Sequence, residues 1–189
     1  MTDQATATGP TATAGDDLHW LLNQYRAAEV HGAGAIMRMS KLAETSALRA
    51  SLVRHLRDEA VHAWLWTRAL EDLGGEVFTV PEPYQQHLSS HYGIPRSLDD
   101  MLVLTLVSEK RGVAQYVNHL DGAPASKTIQ QTLRAIIKDE EWHVRYIREE
   151  LDDRMRRNRS VAGLIERAEA ADERALAELK AHGSAPIGW

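Results

Sequence analysis

The strongest constraint on this chain is a duplication. The run Arg57-Asp58-Glu59-Ala60-Val61-His62 is written a second time as Lys138-Asp139-Glu140-Glu141-Trp142-His143. Each copy sets a carboxylate and an imidazole three residues apart, which on a helix stacks them on a single face. The flanking stretches align without a gap from Arg57 to Leu73 and from Lys138 to Arg154, matching at Asp58/Asp139, Glu59/Glu140, His62/His143, Leu70/Leu151 and Asp72/Asp153. Such a repeat sets the architecture before any single element does, and here the unit is a long helical hairpin used twice.

Apolar spacing carries the helices. From Leu18 a seam runs through Leu22, Tyr25, Glu29, Gly32, Ile36, Met39 and Ala43 in alternating steps of four and three, the rhythm of a helix packed in a bundle. Asp16 or Asp17 is placed to cap it. After a turn near Glu44 to Ser46 the rhythm resumes at Leu48, Leu52, His55, Glu59, His62, Trp66, Ala69 and Leu73, and Gly74-Gly75 stops it. A third seam reads Leu98, Leu102, Thr105, Glu109, Gly112, Tyr116 and His119, opened by Ser97 with Asp100 in the manner of a capping box. Past the break at Gly122 and Pro124, Ser126 caps a fourth helix with Ile129, Leu133, Ile136, Glu140, His143 and Ile147.

The rest of the chain is read from composition. Residues 1–15 hold little to bury and are expected to be a disordered leader. Residues 74–96 carry Gly74, Gly75, Pro81, Pro83, Gly93 and Pro95, so the expectation there is a strap without regular structure, long enough to run the length of a helix. Residues 160–181 read as a fifth, alanine-rich amphipathic helix, followed by the tail GSAPIGW. The expected organisation is therefore an all-α bundle over residues 16–157, with a C-terminal helix and tail over 158–189.

Register places the acids. In an antiparallel hairpin, residues at equal height are centred on the turn. Glu29 and Glu59 are centred on residue 44, and Glu109 and Glu140 between Pro124 and Ala125. Both hairpins thus lift their acids about 15 residues from the turn, to one level. Burying four uncompensated carboxylates there would cost several kcal/mol for each. None of the seam positions is Arg, so cations must come from elsewhere, and two divalent metals with two histidines supply them.

Composition narrows the metal. With no cysteine in 189 residues, a zinc ribbon, a disulfide framework and a rubredoxin-type centre are excluded within the chain, and ligands must be nitrogen and oxygen. A 43% hydrophobic content allows one well-filled domain. The net charge of -5, with basic residues interleaved among acids, argues against nucleic acid as a partner. No apolar window suits a membrane span and no signal-peptide order is seen, so a cytoplasmic protein is expected.

With these residues in view, the chain resembles the ferritin-like di-iron-carboxylate superfamily over about residues 17–155, nearer to rubrerythrin-like and small di-iron oxidase members than to storage ferritins. The resemblance implies a four-helix bundle of two hairpins joined by a long crossover, plus the fifth helix. It implies two iron ions, or a Mn/Fe pair, on Glu29, Glu59, His62, Glu109, Glu140 and His143. Bridging falls to Glu59 with Glu109 or to Glu29 with Glu140. Asp58 and Asp139 match the family's acids that accept a hydrogen bond from the far nitrogen of a ligand histidine, with Asp58 expected on His143 and Asp139 on His62.

Gly32 and Gly112 each follow a seam glutamate by three, and are expected either to leave space for dioxygen or substrate or to let the helices pack closely. Tyr25, one turn before Glu29, is a candidate electron or proton donor. His55 is expected to support the site rather than to add a seventh ligand, and His31, His87, His91 and His119 carry no assignment. The function implied is a di-iron oxidase or oxygenase acting on a small organic molecule, with dioxygen, an external electron donor, and a monomeric or homodimeric state. Ferroxidase or iron-binding activity and rubrerythrin-like peroxide reduction are the alternatives.

Overall fold

A computed structural model describes residues 14–122, 124 and 126–181. These form six helices: α1 Ala14–Leu42, α2 Ser46–Asp72, α3 Tyr84–Tyr92, α4 Leu98–Asp121, α5 Lys127–Arg157 and α6 Ser160–Ala181. No strand occurs among the described residues. The expected leader and tail fall mostly outside them, at 1–13 and 183–189.

Helix boundaries follow local chemistry. Ser97 accepts from the Asp100 amide while Asp100 reaches back to the Ser97 amide, so the capping box at the start of α4 is complete. Thr45 and Ser126 accept from Leu48 N and Ile129 N and open α2 and α5. Gly74 takes φ 71° and ends α2: its amide bonds Glu71 O at 3.0 Å and the Gly75 amide bonds Leu70 O at 2.8 Å. That pair of bonds is the Schellman arrangement, which a Cβ at the left-handed position would strain.

Two expectations need correction. The first helix begins at Ala14, so Asp17 lies inside it, exposed, and does not cap it. The strap at 74–96 is not devoid of structure, because α3 occupies its middle. Its breakers sit outside the helix: Pro83 precedes Tyr84 and Gly93, at φ 91°, follows Tyr92. Between them nine residues are free of Gly and Pro, and Tyr84, Leu88 and Tyr92 fall on one buried face. The Gly/Pro density of the whole segment hid that window.

The main contacts pair α1 with α2 and α4 with α5, then α2 with α5 and α1 with α4. Cross-contacts fix the directions. On α1 and α4, Tyr25 meets His119 and Met39 meets Thr105; on α2 and α5, His55 meets Tyr146 and His62 meets Asp139. Both pairs are antiparallel, so the chain runs up, down, across the length of the bundle, down and up. The α3 helix packs on α6, through Tyr84 to Asp172 at 2.6 Å and His91 to Glu178 at 2.7 Å, and α6 also packs on α4.

The core is in two parts. One cluster holds Ile36, Met39, Leu52, Leu102, Ile147 and Leu151, and the other Leu22, Tyr25, Trp66, Tyr116, Leu133 and Ile136. On α1, α2, α4 and α5 the glutamates lie between the members of the two clusters, so a polar layer separates two apolar ones. No described helix is long and apolar enough to cross a membrane.

Removing the Ser97 hydroxyl tests the α4 start. Ser97→Ala should lower unfolding free energy by about 1 kcal/mol, read as a lower urea midpoint with the slope unchanged. Wild-type stability would show that the capping box contributes nothing.

Candidate metal centre

Four helices each deliver one glutamate to the middle layer: Glu29 from α1, Glu59 from α2, Glu109 from α4 and Glu140 from α5. All are buried, as are His55, His62 and His143. Their positions on the inward seam follow from the steps of three and four, because side chains so spaced share a helix face.

These residues form two groups. Glu29, Glu59, His62 and Glu140 offer ligand atoms within 4.8 Å of one another, and so do His55, Glu59, Glu109 and His143. Each group could hold a metal ion. Glu59 belongs to both. Glu140 also reaches both, with Oε1 3.0 Å from His62 Nδ1 and Oε2 2.9 Å from His143 Nδ1. Of the candidate bridging acids, Glu59 alone belongs to both groups, and Glu140 contacts one histidine of each.

The imidazoles are aimed by acids on the opposite helix. His62 Nε2 lies 3.4 Å from Asp139 Oδ2 and His143 Nε2 lies 3.5 Å from Asp58 Oδ2. The His62 contact is a hydrogen bond, whereas His143 Nε2 and Asp58 Oδ2 face each other without one of good geometry, and both rings turn Nδ1 toward the glutamates. Asp58 is itself held by Arg57 Nε at 2.8 Å.

His55, expected to support the site rather than to add a seventh ligand, stands inside the second group. Its Nε2 is 3.2 Å from Glu59 Oε1 and 3.3 Å from Glu109 Oε1, and its ring stacks on His143 at 3.6 Å. Tyr146 OH holds Nδ1 at 2.8 Å, so Nε2 is the nitrogen that faces the acids. Tyr116 is the other residue that sequence reasoning left unassigned, and its hydroxyl donates to Glu29 Oε1. Tyr25 instead pairs with His119 Nδ1 at 3.2 Å, with its ring 4.9 Å from that of Tyr116. A signal for both existed: aligned on the repeat, His55 corresponds to Ile136 and Tyr116 to Ile36, polar seam residues whose counterparts are apolar.

Charge at the centre is unbalanced within the protein. No described Lys or Arg pairs with any of the four glutamates. Burial, then the charges of Glu109, Glu29 and Glu140, pushes Glu59 well above the ordinary carboxylate range. Burial and Glu109 push Glu140 up to about 7. Burial opposes ionisation of Glu109 too, but His143 and His55 outweigh it and hold that carboxyl well below its usual value. Burial alone would lower both ligand-set histidines, yet contacts with Glu140 and Glu29 raise His62 to about 12, and contacts with Glu109 and Glu140 raise His143 to about 11. Protons thus stand where cations would. The buried His62 Nδ1 has no hydrogen-bond partner of good geometry, which fits a nitrogen directed at a metal.

A cavity of about 320 Å³ opens beside this layer between α1 and α4, reaching all four glutamates and roofed by Tyr84, Leu88 and Ser89 of α3. Both seam glycines line it, but they differ. A Cβ on Gly32 would stand 2.0 Å from Glu59 Oε2, whereas a Cβ on Gly112 would meet nothing within 4 Å. Gly32 lets a carboxylate pass across the helix, and Gly112 leaves open volume. The remaining histidines are placed as follows: His31 lines the cavity, His119 meets Tyr25, and His87 and His91 face Glu178.

Comparison of the sequence with protein-family models and with curated proteins found no match in either.

Two predictions follow from this geometry. Gly32→Ala should drive Glu59 from its place and weaken divalent-metal binding at least about tenfold, while Gly112→Ala should leave metal binding intact and stabilise the helix by up to about 1 kcal/mol; equal metal affinity in both variants would refute the contrast. Because His62 and His143 are held protonated at pH 7 in the metal-free chain and Glu59 and Glu140 are pushed toward their protonated forms, loading should release at least about two protons and affinity should rise with pH. Calorimetry in buffers of different ionisation enthalpy measures that release, and an enthalpy independent of buffer would contradict it.

Proposed function

We propose that this protein is a ferritin-like di-iron oxidoreductase that activates dioxygen to oxidise or hydroxylate a small organic substrate. The observation that carries the reading is a pair of adjoining four-residue groups sharing Glu59, buried between two apolar clusters and open on one side to a cavity. The arrangement of helices supports it: two antiparallel hairpins joined by a crossover, with Glu from two helices and Glu-x-x-His from the other two, is how such bundles build a di-iron site.

Two ferrous ions bound there would supply electrons to dioxygen, and an external donor would restore them. The protein's own work is positional. Asp58 and Asp139 stand at the far nitrogens of His143 and His62, Glu59 and Glu140 would each offer oxygen to both ligand groups, and Tyr116 holds Glu29. The purely nitrogen and oxygen donor set suits iron or a Mn/Fe pair. The apolar clusters keep bulk water from the layer, which strengthens the field of each carboxylate.

A second reading, rubrerythrin-like peroxide reduction, is favoured by one feature. His55 adds a seventh ligand-type group to the six expected, and it lies with Glu109 and His143 in one group. The cavity favours the organic oxidation instead, since reducing peroxide needs no space for a carbon skeleton.

Anaerobic titration with Fe(II) should reach an end point of about two irons per chain. Glu59→Ala, which removes the shared ligand, should abolish tight binding of both, and Asp139→Asn should keep the count with affinity reduced about 10- to 100-fold. Exposure to dioxygen should then oxidise the iron, with near-ultraviolet absorption as readout; iron that ignores dioxygen but reacts with hydrogen peroxide would select the second reading. A folded chain that binds no iron would sink both.

A further inference from the structure

The cavity has walls and a rim of different character. Ala35, Leu88, Met101 and Leu104 give it apolar sides. Among the described residues, the acids lining it are the four glutamates at the base, which two divalent ions would neutralise. Arg111, at one edge, is committed to Asp172. Arg38, at the other, is exposed and has no ion pair or hydrogen bond among the described residues. Deeper in, Gln115 is buried beside the Tyr25 hydroxyl, and its Nε2 makes no hydrogen bond of good geometry. A buried amide N–H without a well-aligned acceptor keeps its desolvation cost, so it marks a place where a ligand atom belongs.

The two donors lie at different heights. Arg38 follows Glu29 by nine residues on α1, roughly 13 Å of helix rise. Gln115 precedes Tyr116, whose hydroxyl meets Glu29, so it sits at the level of the carboxylates. A molecule joining them needs an anion at one end, an elongated apolar body, and a hydrogen-bond acceptor at the other.

We propose that the cavity takes an elongated organic monocarboxylate, with its carboxylate on the Arg38 guanidinium, its apolar body between α1 and α4, and an oxygen acceptor on Gln115 Nε2 beside the metal layer. The claim names the substrate class of the proposed oxidoreductase and rests on that reading. A guanidinium matches a carboxylate with two parallel hydrogen bonds, and the absence of acids around the rim leaves that charge free for a ligand. The end that reaches the carboxylate layer is the end far from the acid group, so oxidation would fall on the distal part of the molecule.

The test uses the full chain without metal, so that its outcome is independent of iron chemistry. Dissociation constants are measured by calorimetry for 4-methoxycinnamate and for 4-methoxycinnamyl alcohol, which differ only in the charged end. The carboxylate should bind about tenfold tighter than the alcohol. Arg38→Glu, at an exposed position, should erase that preference while leaving the alcohol unchanged. Gly112→Leu, which fills the open volume, should weaken both ligands, with the melting temperature confirming that the variant folds. Equal binding of acid and alcohol, a preference that survives Arg38→Glu, or no binding of either to folded wild-type protein would each overturn the proposal. Any of those results leaves the iron stoichiometry untouched, and a chain that binds the carboxylate but no iron would fail the functional reading alone.

Discussion

Four ionisable carboxylates buried at one height, with no described lysine or arginine to answer them, are the condition to which the rest of this structure is fitted. In a low-dielectric layer each uncompensated charge would cost several kcal/mol, more than most single contacts in a domain contribute. The molecule meets this with three imidazoles, a phenol on Glu29 and shared protons on Glu59 and Glu140. Those protons leave the carboxylates ready to exchange them for cations.

Support for that layer comes from outside it. The apolar clusters above and below hold the helices in register. Asp58 and Asp139 aim histidines on the helix across the bundle, so each half of the repeat completes the other half's site. Removing either acid would leave the ligand in place but its ring free to turn, which is why an acid beside the site matters as much as one within it.

The two halves are nevertheless unequal. On the α2/α5 side, Tyr146 closes against His55 and stacks on Trp142 at 4.7 Å, with the Arg54 guanidinium 3.7 Å over the Trp142 ring. On the α1/α4 side, the crossover helix roofs a cavity instead. Gly32 and Gly112 occupy equivalent places in the repeat, yet one admits a glutamate side chain and the other leaves empty volume. A closed face and an open face around a buried charged layer are what give the site a direction of approach.

Much of this was written in one dimension. The seam spacing determined the four long helices, the capping residues Ser97, Thr45 and Ser126 lie at or beside their starts, and centring on the two turns put Glu29, Glu59, Glu109 and Glu140 at one level. Those features are local, set by which residues recur every three or four positions. The short helix α3 escaped because its breakers flank it rather than interrupt it. His55 and Tyr116 escaped because the repeat was read where its halves agree, and these residues sit where they differ. Which carboxylates are shared, which nitrogen faces inward and which side of the bundle stays open were decided only by tertiary packing, because each depends on rotamers and on partners more than 90 positions away in the chain, and spacing along a sequence carries neither.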